Sequence, residues 1–165
     1  MSGARVLVAG IGNVFFGDDG FGVEVARRLG GRPQPEGVEV RDFGIRGLDL
    51  AYALLDGYDA AVLVDAVPRG GLPGTLYVLE PEAAAGPVRL ADTHGLEPAT
   101  ILGMLRTMGD DLPVLRIVGC EPAAGDDDAE MTVGLSPAVA AVVDEAVTLV
   151  EALVLELGHE AGRRA

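Results

Sequence analysis

The stretch Ala60-Ala-Val-Leu-Val-Asp-Ala-Val-Pro-Arg-Gly-Gly-Leu-Pro-Gly-Thr-Leu-Tyr-Val-Leu79 decides the fold. It opens with a continuous apolar run, Ala60 to Asp65, which suits a strand buried on both faces. It closes with a second strand, Thr75 to Leu79, bracketed by Pro73-Gly74 and Pro81. The residues between Asp65 and Thr75 are too few for a helical crossover, which needs about a dozen or more. The second strand must therefore run antiparallel to the first.

On the N-terminal side, Arg5-Val-Leu-Val-Ala9 is another short apolar run, ending in glycine, and reads as a buried strand. Phe21, Val25 and Leu29 repeat at helical spacing with Arg27 and Arg28 between them, so Gly20 to Leu29 is an amphipathic helix that Asp18 or Asp19 can cap. Val38 to Phe43 alternates apolar and polar residues, as a strand near a sheet edge does, and Leu48, Tyr52 and Leu55 mark a second helix. On the C-terminal side come a helix from Leu96 to Met108 closed by Gly109, and a strand from Val114 to Gly119. Ser136-Pro137 then opens a long last helix to about Leu157. Alternating strands and helices predict a single α/β domain over 1–157 with a frayed tail over 158–165. Its expected architecture is three-layer α/β/α, with a five-stranded mixed, mostly parallel sheet whose fourth strand is antiparallel.

Composition narrows the function. The chain has 165 residues, enough for one core, and 49% hydrophobic content, too much for disorder. Acids outnumber bases 26 to 12 for a net charge of −14, and every base is Arg. That balance excludes nucleic acid and anionic membrane surfaces, which require a basic footprint. A basic partner surface or a cation fits instead. One cysteine, Cys120, rules out an intramolecular disulfide and a Cys-based zinc site. The longest apolar stretch, Ala138 to Leu157, carries Asp144, Glu145, Glu151 and Glu156, so it is not a membrane span. No targeting segment is recognisable, and a soluble, cytoplasmic, monomeric protein is expected.

Ligands of open α/β sheets bind beyond the carboxyl ends of the parallel strands. The first strand delivers Asn13 to Asp19 to that edge, the second delivers Asp42, and the third delivers Asp65. The helix after the antiparallel strand must descend to begin strand five, which puts His94 at the same edge, and strand five ends there at Cys120. The run Gly10-Ile-Gly-Asn-Val-Phe15 invites a dinucleotide reading, but Phe15 stands where the third glycine is needed, and Asp18 and Asp19 would repel a pyrophosphate. Asp19, Asp65 and His94 make a better set: two carboxylates and an imidazole suit a borderline divalent cation, with positions left for a substrate. Structural roles compete with this reading, as a helix cap, a strand-end acceptor and a helix-start turn. Cys120 admits two readings as well, a thiol nucleophile served by His94 and Asp65 or a small buried side chain. The acidic run from Glu121 to Glu130 reads as a solvated rim loop.

Val6-Leu-Val-Ala-Gly-Ile-Gly-Asn13 followed by Gly17-Asp-Asp-Gly-Phe-Gly22 resembles the opening signature of the nickel-iron hydrogenase maturation endopeptidases. The resemblance continues in order through Asp42-Phe-Gly44, Val62-Leu-Val-Asp-Ala66, Pro73-Gly-Thr75, His94-Gly-Leu96, Val118-Gly119 with Pro122, and Gly134-Leu-Ser-Pro137. It implies the same fold and an aspartyl-type endopeptidase. Such an enzyme removes a C-terminal extension from the hydrogenase large-subunit precursor after nickel insertion. It further implies that Asp19, Asp65 and His94 contact nickel, that the precursor brings this metal, and that Asp42 is an acidic substrate-binding position near the cleft. Asp19 departs from the family's frequent Glu by one methylene. Ile45-Arg46 departs from the small residues common there, which bears on the precursor accepted. A peptidase of this fold with another substrate, and a non-catalytic metal-sensing assembly module, are the alternatives.

Overall fold

Apolar side chains that alternate between two faces build the sheet. The computed structural model describes residues 3–80, 112–123 and 131–164. Its strands are β1 (Val6–Ile11), β2 (Val38–Gly44), β3 (Ala60–Ala66), β4 (Leu76–Leu79) and β5 (Val114–Cys120). Its helices are α1 (Phe21–Gly30), α2 (Gly47–Leu54), α3 (Pro137–Ala140) and α4 (Val143–Arg164), and a 3-10 turn over Gly17–Gly20 leads into α1. Val6, Val8, Ala60, Val62, Val64, Val118 and Cys120 enter one core with Phe21, Val25 and Leu29 of α1 and the apolar stripe of α4. Leu7, Ala9, Ile11, Ala61, Leu63, Leu115 and Ile117 enter the other, under Leu50, Ala51, Ala53 and Leu54 of α2. Two cores on one sheet give the three layers.

The strand order is β2-β1-β3-β5-β4. β1 pairs in parallel with β2 and β3, β3 pairs in parallel with β5, and β4 is antiparallel to β5, with Leu76 opposite Cys120. The antiparallel fourth strand is the one the short connection required. β2 is an edge strand with an alternating burial pattern. The chain leaves β1 through α1 toward β2, then crosses back through α2 to β3 on the other side. The sheet's topological switch point therefore lies between the carboxyl ends of β1 and β3, where open α/β sheets bind ligands.

Helix α1 reaches that point because Gly22 has no side chain. A Cβ there would collide with the carbonyl oxygens of Val64 and Ile11. The last helical region differs from the sequence expectation. It is split into α3 and α4, and Val142 donates to the carbonyl of Val139 at 3.1 Å in the tightened turn between them. Val139 and Val143 still share the same core, so the apolar face runs on across the break. Helix α4 also continues past Leu157, where a frayed tail was expected. Ala161 is buried there, and Glu160 lies 3.7 Å from Arg116 of β5. The helix expected over Leu96 to Met108 lies outside the described residues.

Candidate active site

The loop leaving β1 folds back on itself through short, local bonds. The Asn13 side-chain oxygen accepts from the amide of Phe15 at 3.0 Å, and the Asn13 carbonyl accepts from the amide of Phe16 at 3.1 Å. Asp19 then donates its amide to the Phe16 carbonyl at 3.2 Å and accepts from the amide of Asn13 at 2.8 Å through Oδ2. The returning chain passes so close that a Cβ on Gly12 would collide with the Asp19 carbonyl, and Gly12 itself sits at φ +135°. Only glycine adopts that conformation without strain. The Asp19 side chain is left exposed at the rim.

Gly12 is the meeting point of three carboxylate-bearing segments. Asp65, at the end of β3, is only 8% exposed, and its Oδ1 accepts from the amide of Ala66 at 2.8 Å. That same oxygen lies 3.6 Å from the point a Gly12 Cβ would occupy. Asp42 lies near the end of β2, with Oδ1 accepting from the amide of Gly44 at 2.8 Å. The Gly44 carbonyl in turn accepts from the amide of Gly12 at 2.9 Å. The segments carrying Asp19, Asp42 and Asp65 thus come together across the switch point, as their places at the carboxyl edge require. His94, the nitrogen donor of the expected set, lies outside the described residues. Among the described residues no three His, Cys, Asp or Glu side chains form a metal-holding group by themselves. Asp19 in the turn after β1 and Asp65 near the end of β3 carry hard oxygen donors of the kind a borderline divalent cation accepts.

The cap assignment is overturned. Helix α1 has Gly20 at its N-cap and no side-chain cap bond. The Asp18 carboxylate instead accepts from the amide of Ala123 at 2.8 Å, the amide of Ser136 at 2.7 Å and the hydroxyl of Ser136 at 2.8 Å. It ties the 3-10 turn to the exit of β5 and to the start of α3. Ser136 gives its hydroxyl to this clamp and not to its own helix.

Glu121, read as part of a solvated acidic run, is in fact 5% exposed. Its carboxylate accepts from the amides of Arg69 at 2.8 Å and Gly70 at 3.0 Å and from the Tyr77 hydroxyl at 2.9 Å. Burial by itself pushes the carboxyl up, but these donors outweigh it and the net shift is downward. No sequence signal marked Glu121 apart from the acids that follow it. Cys120 is fully buried, and its thiol is pushed up to about 11, first by burial and then by the negative charges of Asp18 and Glu121. Full burial and a raised pKa both favour the reading of Cys120 as a small buried side chain.

A doubly wound sheet with acidic loops meeting at its switch point defines the class, a three-layer α/β fold with a carboxylate-lined edge. The family model described as hydrogenase maturation protease, HycI, matches residues 23–153. The hydrogenase 2 maturation protease of Escherichia coli strain K12 is 32% identical over 160 residues, which is 95% of this chain and 94% of that protein. Two solved structures share the fold at similar identity. The hydrogenase maturating endopeptidase HybD from E. coli is 30% identical with a TM-score of 0.75, over 92% of this chain and 93% of that one. The hydrogenase 2 maturation peptidase from Thaumarchaeota archaeon SCGC_AB-539-E09 is 34% identical with a TM-score of 0.65, over 92% and 99%. This chain belongs to the hydrogenase maturation protease family, and it is an endopeptidase, a hydrolase.

Proposed function

We propose that the protein cuts a C-terminal extension from the nickel-loaded large-subunit precursor of a nickel-iron hydrogenase, as the last step of that subunit's maturation. The observation that carries this reading is the meeting of the Asp19 and Asp65 segments at Gly12, on the sheet's switch point, in a chain of this family. Nickel enters as part of the substrate. Asp19, Asp65 and His94 are the residues that close on it, and a metal so held polarises the scissile carbonyl or delivers bound hydroxide to it. The carboxylates fix the metal and therefore the scissile bond. Asp42, one strand further along the edge, faces the incoming chain as a substrate-binding group. The enzyme is of the aspartyl type in the sense that its working groups are carboxylates, and it acts as a cytoplasmic monomer.

Coupling cleavage to a metal that the substrate carries makes nickel insertion a precondition for processing. The test is incubation with purified precursor, with and without nickel, followed by mass measurement of the product. Loss of a discrete C-terminal peptide only from the nickel-loaded form is the expected result. Equal cleavage without nickel, or general cleavage of casein, overturns the reading.

A further inference from the structure

Beside Asp19 the β1 exit loop pairs with a segment from the far end of the chain. The amide of Thr132 donates to the Phe15 carbonyl at 2.8 Å, and the amide of Gly17 donates to the Thr132 carbonyl at 2.6 Å, forming a one-residue parallel bridge between Phe16 and Thr132. Both backbone groups of Thr132 therefore face inward. Backbone groups of successive residues in an extended strand point to opposite edges, so those of Met131 and Val133 face outward. Neither residue makes a backbone–backbone hydrogen bond among the described residues. The same small ribbon carries an unusual run of exposed apolar side chains: Val14, Phe15, Phe16, Met131 (70% exposed) and Val133 (77% exposed). An open strand edge with apolar side chains is the form of a β-addition site for an extended peptide.

We propose that the outer edge of Met131–Val133 is the docking strand for the precursor segment next to the scissile bond, an extended stretch with alternate apolar side chains and basic residues near them. This rests on the peptidase reading above. Position argues for that occupant, since Thr132 pairs with the Phe15–Gly17 backbone and Asp19 bonds to Phe16 within that same loop. Charge argues for the basic residues. No Arg or Lys occurs between Val6 and Val23 or between Ile117 and Gly162, the two regions that frame the rim, while the exposed Asp19 lies in the first of them. A neutral apolar peptide would find the backbone edge and the side chains but no electrostatic steering; a basic one finds all three.

The test is steady-state cleavage of the nickel-loaded precursor by four proteins. Met131→Ser/Val133→Ser removes the apolar contacts at exposed positions. Val133→Pro deletes one outward N–H and leaves both Thr132 bonds in place. Leu155→Ser, an exposed apolar site on α4, is the control. KM should rise about tenfold in the first two with kcat within about twofold, because docking contacts away from the reacting atoms affect binding. Leu155→Ser should match wild type. An unchanged KM in both rim variants, while wild type cleaves normally, overturns the docking strand and leaves the peptidase reading intact. So does a fall in kcat alone, or a concentration-dependent dimer that the rim substitutions dissociate. No cleavage of the nickel-loaded precursor by wild type overturns the peptidase reading and takes the docking strand with it.

Discussion

The loop around Gly12 and the corner where β4 meets β5 lie at the same sheet edge, and both are rich in acids. They use them in opposite ways. At the corner, Glu121 is buried and accepts from two amides and a tyrosine hydroxyl, and Asp18 reaches across to three donors on Ala123 and Ser136. In the Gly12 loop, Asp19 is exposed, and among the described residues its carboxylate accepts only from the amide of Asn13. A carboxylate with three donors is a fixed anchor, since its lone pairs are occupied and its charge is offset. A carboxylate with one donor is oriented but has an oxygen to offer. The difference teaches how one acidic edge divides its carboxylates: some are saturated with donors and hold the loops, while Asp19 stays exposed at the rim. Asp18 and Asp19 show the division within one dipeptide.

The most severe break in this comparison is to remove one of the groups proposed to contact nickel. Asp19→Asn, Asp65→Asn and His94→Ala should each lower cleavage of a nickel-loaded precursor by about 10³-fold, the scale on which loss of one group stabilising developing charge is felt. Circular dichroism should show the Asp19 and His94 variants folded. Near-normal cleavage by the Asp19 variant would move the open role elsewhere on the edge.

Removing an anchor should act on stability in place of chemistry. Asp18→Ala leaves the amides of Ala123 and Ser136 without their acceptor and should destabilise by about 3 kcal/mol, against about 1 kcal/mol for Asp19→Ala. Urea titrations of both proteins give the comparison. Equal losses would mean that the two acids are not divided as described.

Glu121 sharpens the same point through pH. Its carboxyl is held below the ordinary 4.5, so the folded state favours the charged form. The stabilisation is present above the unfolded value and is lost as pH falls through the lowered folded value. Wild type should therefore exceed Glu121→Gln in urea midpoint at pH 7, and the gap should close on acidification below about 4.5. A gap independent of pH between 7 and 3 would assign Glu121's effect to packing alone.

The five strands and their directions were legible because they follow from local rules. Buried runs at Val6 and Ala60 mark central strands, alternation at Val38 marks an edge, and the short link from Asp65 to Thr75 leaves no room for a crossover. The convergence of Asp19, Asp42 and Asp65 followed from the same topology. What was illegible depends on contacts distant in sequence. A capping rule looks only at nearby amides, whereas the donors to Asp18 lie 105 and 118 residues away. Glu121 looks like any member of an acidic run until β4 and the turn at Arg69–Gly70 are seen closing over it. The break between α3 and α4 left no trace in sequence, since Val139 and Val143 keep an unbroken helical stripe across it.

The mildest change tests the corner from its inner side. Cys120 ends β5 between the two anchors, with its side chain wholly in the core. Its thiol is raised to about 11, first by burial and then by the charges of Asp18 and Glu121, so the thiolate is disfavoured at pH 8. Iodoacetamide should alkylate the folded protein far more slowly than the urea-unfolded chain, in which an ordinary thiol is restored. Cys120→Ala should cleave precursor within about twofold of wild type and lose about 1 kcal/mol of stability, the scale of a small buried deletion. Burial, together with the negative charges that anchor the corner, thus disfavours the thiolate form of its sulfur. Rapid alkylation of the native protein, accompanied by loss of cleavage, would reverse that assignment.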